Sequence, residues 1–229
     1  MEKLKEMIVK PCFSAKFLLS AMVLYFVLSY IARAIFGVFD IENVGATEVL
    51  TYLFYGFGGG IIFSCAKDFI YDESRKHTFI AMVFLYIVMI FREMGAQGWL
   101  TTTDTVVTKI RFFTNPNNLL HEKIIAGALM LFIVAVFLWV FIKYAKVFWQ
   151  GLLKKNPLSV TTMILFVWTI LTQIIDRFPA EYCKATGVAL YEPIKFAMKV
   201  FEEGGESLIP LLIAIAFLQF HYLYCKDKV

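Results

Sequence analysis

Charge is the scarcest commodity in this chain. Asp, Glu, Lys and Arg together make up 17% of the residues, against about 25% in soluble globular domains. The net charge of +4 comes from basic residues gathered in short segments between oily runs, which is a topology signal before it is a binding one. Nucleic acid is therefore excluded as an expected partner. Histidine is scarcer still. His77, His121 and His221 fall at different ends of the oily runs, so no pair of axial haem ligands and no three-His zinc site assembles at one depth. Cys12, Cys65, Cys183 and Cys225 form no C-x-x-C pair and no disulfide-like spacing. No cofactor and no metal is expected, and Cys183 reads as a lone free thiol. G-x-S-x-G, a G-K-[ST] phosphate loop, an Arg-rich helix and an N-x-S/T sequon are all missing. These absences set aside a serine hydrolase, a nucleotide-binding loop and a voltage sensor.

Oil is abundant instead. Hydrophobic residues make up 60% of 229, with 24 Phe, 11 Tyr and 4 Trp, more than a soluble core of this length needs. About 20 apolar residues cross a bilayer at about 1.5 Å rise each. On that measure the spans are 17–36, 49–66, 78–97, 124–149, 158–178 and 207–224. The expected fold is an all-α, polytopic transmembrane helical bundle of about six spans, one integral membrane domain over 1–229. The first run follows lysines, as a signal peptide does, but continues to Phe36 without a small-residue cleavage pattern. It reads as a retained span. Lys154-Lys155-Asn156-Pro157 stops one helix and sets up the next. Two connectors are long: 98–123, which ends in the turn-forming Asn115-Pro116-Asn117-Asn118, and 179–206, which is amphipathic.

Basic residues orient the bundle, because cytosolic loops carry their excess. With the N-terminus inside, the inner set is Lys3, Lys5, Lys10, Lys16, Lys67, Arg75, Lys76, Lys143, Lys146, Lys154, Lys155, Lys226 and Lys228. The outer set is Arg33, Arg92, Lys109, Arg111, Lys123, Arg177, Lys184, Lys195 and Lys199. Thirteen against nine places both termini in the cytosol, in the plasma (inner) membrane.

The third run holds 14 uninterrupted apolar residues, 78–91, or about 21 Å of helix against a hydrocarbon core of about 30 Å. Either Arg92 and Glu93 lie below the surface and need partners, Arg33 and Arg177 being the candidates for Glu93, or Arg92 snorkels outward and Glu93 is interfacial. Phe91-Arg92-Glu93-Met94-Gly95 loosely resembles Phe201-Glu202-Glu203-Gly204-Gly205, which raises a three-plus-three repeat.

Glu202, Glu203 and Glu206 precede the last run, with Glu202 and Glu206 on one helix face. Two local structures are open. The breaker pattern favours a chain interrupted at Gly204-Gly205, with Ser207 as N-cap and Pro210 in the first turn. The other is a continuous helix from about Pro193, in which Pro210 supplies no N–H for the Glu206 carbonyl. Thr169, Thr172 and Gln173 make a polar stripe leading to Asp176 and Arg177. In the second run, Gly56-Phe57-Gly58-Gly59-Gly60 reads as a close-packing surface rather than an unwound site.

The expected outer ends of five helices thus gather Arg33, Glu48, Glu93, Arg92, Asp176, Arg177, Glu202, Glu203 and Glu206. The leading functional expectation is a cation- or proton-linked transporter or channel whose acidic outer cluster draws the ion into the bundle. The alternative is a membrane-embedded enzyme on a lipid or lipid-linked head group, with Glu93 or Glu206 as general acid/base and Lys109, Arg111 or Arg92 holding an anionic group. A third is a non-catalytic assembly partner. The partners expected are the lipid bilayer, a small cation or proton, and a second copy of the chain.

Overall fold

A computed structural model describes residues 2–36, 46–70, 73–95, 101–102, 107 and 110–224. Among them the regular structure is entirely helical: α1 (Glu2–Ile8), α2 (Phe13–Phe36), α3 (Ala46–Ile70), α4 (Glu73–Glu93), α5 (Ile110–Thr114), α6 (Leu120–Leu153), α7 (Pro157–Thr186) and α8 (Glu192–Tyr224). Five of these, α2, α3, α6, α7 and α8, are long and apolar enough to cross a membrane. The oily run of α4 is hemmed in by Arg75-Lys76 on one side and Arg92-Glu93 on the other. α4 does not continue to residue 97, because the helix closes in a turn with Gly95 at φ +67°.

The helices outrun the spans read from hydropathy. α6, α7 and α8 have 34, 30 and 33 residues, and at about 1.5 Å per residue each is about 45–51 Å long. The expected connector 179–206 is correspondingly replaced by helix on both sides. α7 runs through Pro179 to a left-handed cap at Gly187, φ 72°, whose N–H donates to the Cys183 carbonyl. α8 begins only at Glu192. Lys199 pairs with Glu202 and Glu203 at i+3 and i+4, and such pairs carry a helix through polar sequence. The connector after α6 is as expected: Lys155 takes φ 54°, Asn156 accepts from the Leu158 N–H, and Pro157 occupies the first turn.

The chain divides into two compact units, residues 1–65 with 149–229, and residues 66–148. The first is built around α8. Of its apolar window 56% is buried, against 17% for α2 and for α7. Leu18 and Met22 of α2 meet Leu208 and Leu212 of α8, with Phe54, Leu165 and Trp168 packed around them. α7 and α8 are antiparallel, since Asn156 Nδ2 donates to the Tyr224 hydroxyl at one end and α7 meets α8 again near Gly205. At the Tyr224 end, Thr161 donates to Ser14 at 3.0 Å, and Gln219 Nε2 donates to the Ile8 carbonyl at 2.9 Å, holding α1 on α8.

In the second unit, Phe84 and Phe132 pack edge to face, and Lys143 and Tyr144 both donate to the Thr78 hydroxyl at 2.9 and 3.0 Å. A small core of Val107, Phe112 and Ala126 is closed by the Asn115–Asn118 turn, where Asn118 Nδ2 donates to the Phe112 carbonyl. Elsewhere the apolar faces lie open: only 6% of the α6 window is buried. Apolar surface on that scale is stable against lipid and not against water.

Candidate functional site

Gly204-Gly205 does not break α8. The helix runs unbroken through Ser207 and Pro210, so the interrupted structure favoured by the breaker pattern is corrected in favour of the continuous one. The reason is packing. A Cβ on Gly204 would meet the Tyr25 ring of α2, with Cε1 at 2.7 Å, and one on Gly205 would meet Thr172 Cγ2 at 2.6 Å. The glycines let two neighbouring helices press against the α8 backbone, and Trp168 Nε1 seals the contact by donating to the Gly205 carbonyl at 3.0 Å. The glycine run of α3 also stays helical; a Cβ on Gly56 or Gly60 would meet nothing within 4 Å, while Gly58 between them is buried.

At the residue after the glycines, Gln173 Nε2 of α7 donates to Glu206 Oε1 at 2.8 Å. Of the expected polar stripe only Gln173 reaches across in this way. Thr169 donates to the Leu165 carbonyl and Thr172 to the Thr169 carbonyl, so both hydroxyls are spent on their own helix. Ser207 donates to the Glu203 carbonyl at 2.8 Å, which leaves the Thr51 hydroxyl of α3 as donor in the buried 2.7 Å contact with Ser207. Pro210 offers no N–H to the Glu206 carbonyl, four residues earlier. Glu206 is half-buried.

A turn toward the α8 N-terminus, Lys199 Nζ sits 3.2 Å from Glu202 and 3.1 Å from Glu203. Asp176 of α7 is exposed and close enough for its charge to act on Glu202. Asp176, Glu202, Glu203 and Glu206 thus form an acidic zone along α7 and α8, with Lys199 as the ammonium inside it. Arg177 lies exposed on α7. Arg33 is elsewhere: its guanidinium stacks over the Phe196 ring at 4.2 Å. In steps of about 100° per residue, Lys199, Glu202, Glu203 and Glu206 share one side of α8 while Pro193, Ala197 and Phe201 occupy the other.

In the second unit, Arg92 Nη2 lies 3.6 Å from Glu93 Oε2, with side chains 48% and 23% exposed. Adjacent side chains therefore meet. Phe91–Gly95 closes a helix and Phe201–Gly205 lies inside one, so the suggested repeat has no structural counterpart in these two segments. Lys109 lies outside the described residues, as does Cys225; Arg111 falls in α5.

Two buried polar side chains with an oxygen unsatisfied among the described residues escape the sequence reading. Glu122, 6% exposed, accepts the Thr102 N–H at 3.0 Å through Oε1, and its Oε2 has no partner among the described residues. Gln219 is wholly buried with Oε1 likewise unsatisfied. Glu122 could have been suspected as a first-turn acid of α6, where the helix N-terminus favours negative charge; nothing in the sequence signals Gln219. Among the described residues no three of His, Cys, Asp and Glu converge on a point that could hold a metal ion. No family model, curated protein or solved structure matches the chain.

Proposed function

We propose that the chain is a six-span protein of the plasma (inner) membrane, both termini cytosolic, that moves a proton or small cation by way of Glu206. α4 supplies the sixth span, its short apolar run completed by the lysine and arginine stems at its ends. The observation that carries the reading is the Gln173–Glu206 contact. Glu206 lies 18 residues from the Tyr224 end of α8, about 27 Å by helix rise, near the far boundary of a hydrocarbon core of about 30 Å. A carboxylate at that depth persists where it is paired or faces a water path, and such groups mark ion and proton routes. Glu202, Glu203 and Asp176 lie farther out on the same zone and supply the field that concentrates cations at its mouth.

The enzyme alternative rests on a different observation: chemistry on an anionic head group wants a carboxylate and a guanidinium converging on one point, and Glu93 and Arg92 meet at 3.6 Å. Ion flux in reconstituted vesicles, wild type against Glu206→Gln, tests the proposal.

A further inference from the structure

On the flank of the first unit away from the acidic zone lies a groove of about 430 Å³. Its floor is α8, through Ala197, Met198 and Phe201, and its walls are Phe26 and Tyr30 of α2 and Ile175 of α7. Every lining side chain is apolar except Tyr30. Along α8 the stripe runs from Pro193 to Phe201, about 12 Å by helix rise, and the groove lies along the helix, the direction in which a lipid chain lies beside a span. Its Pro193 end carries a charge. Tyr30 packs edge to face on Phe196 at 5.2 Å, and Arg33, one turn farther along α2, stacks on the same ring at 4.2 Å. Stacking occupies one face of a guanidinium and leaves its in-plane N–H donors able to take a phosphate through paired hydrogen bonds. Among the described residues no carboxylate forms an ion pair with Arg33; Glu192 and Glu203, on the Phe196 side of α8, pair with Lys195 and Lys199 instead.

We propose that this groove is a binding site for one anionic phospholipid, with an acyl chain lying over Ala197 and Met198 and the phosphate on Arg33. The apolar lining selects a chain and the terminal guanidinium selects the charge, so the occupant is a lipid rather than a free anion or an apolar peptide. The site is independent of the carboxylates assigned to ion movement.

The test is native mass spectrometry of the full-length protein in detergent, titrated with phosphatidylglycerol, with phosphatidylcholine of the same acyl chains, and with inorganic phosphate. The wild type is expected to retain one phosphatidylglycerol in preference to phosphatidylcholine, and no phosphate. Arg33→Gln should lower that preference by about five- to tenfold, the loss of a charge-assisted pair, while Arg33→Lys keeps most of it. Ala197→Phe, which fills the floor, should weaken both lipids, and Met198→Trp should do the same where Ala197→Phe does not fold. Circular dichroism melting without added lipid identifies the variants that fold. Equal retention of the two lipids by the wild type, an unchanged preference in Arg33→Gln, or retention of phosphate alone would overturn the proposal.

Discussion

Gln173 of α7 donates its amide hydrogen to the Glu206 carboxylate of α8 across 2.8 Å. An amide is an apt partner for a carboxyl that gains and loses a proton. Its NH₂ donates to the ionised form and its carbonyl accepts from the protonated one, so a rotation of the amide preserves the contact in both states. Close packing at two adjacent glycines holds the pair in place: Tyr25 against Gly204, and Trp168 and Thr172 against Gly205. The Gln173–Glu206 contact and the packing beside it therefore belong to one stretch of α8.

Gly204→Ala and Gly205→Ala should each destabilise the protein by about 1–3 kcal/mol, the range for inserting atoms into a filled contact. Gly56→Ala and Gly60→Ala should be neutral or stabilising by up to about 1 kcal/mol, since the new methyl meets open space and alanine is the better helix former. Thermal unfolding in detergent separates the two pairs. Equal effects at all four positions would contradict the packing account.

The fold was legible where local chemistry decides it. Asn156-Pro157 caps α7 as its sequence dictates, and Asn115-Pro116-Asn117-Asn118 turns as expected, with Asn117 N–H on Asn115 Oδ1. It was illegible where a neighbouring helix decides. Gly204-Gly205 and Pro210 look like breakers in isolation, yet the Tyr25 and Trp168 rings need the bare backbone that the glycines provide. Glu206 and Gln173 were both named from the sequence, as an acid before an oily run and as one member of a polar stripe. That Gln173 alone of the stripe bonds across α7 and α8 is a matter of register between two helices, which neither helix encodes by itself.

Lys199 is held between Glu202 and Glu203 with 29% of its side chain exposed. Lys199→Met should cost about 1–2 kcal/mol, less than the 3–5 kcal/mol of breaking a fully buried pair. Adding Glu202→Gln should recover part of the loss, with a coupling energy of about 1 kcal/mol in the double-mutant cycle. Additive effects in that cycle would show that the contact contributes nothing.

Topology can be read from two native thiols. Cys12, near the start of α2, and Cys183, near the end of α7, are both free and exposed. With the other cysteines replaced, an impermeant maleimide added to intact cells should label Cys183 and leave Cys12 unlabelled until the membrane is opened. Labelling of Cys12 from outside, with Cys183 protected, would reverse the orientation.

Gln173→Leu keeps the approximate volume and removes the donor to Glu206. It should lower ion flux severalfold while changing thermal stability by about 1 kcal/mol, the size of one hydrogen bond to a partly exposed group. Flux at the wild-type level would show that Glu206 acts without Gln173.

The most direct measurement is flux through purified protein in sealed vesicles carrying a pH- or cation-sensitive dye, under imposed proton, sodium and potassium gradients. Wild-type protein is expected to collapse at least one gradient faster than protein-free vesicles, and Glu206→Gln, which keeps the size and a hydrogen-bonding oxygen, is expected to fall to the protein-free rate while folding normally. Wild-type flux in the Glu206→Gln variant, or no wild-type flux under any of the gradients, would contradict the account.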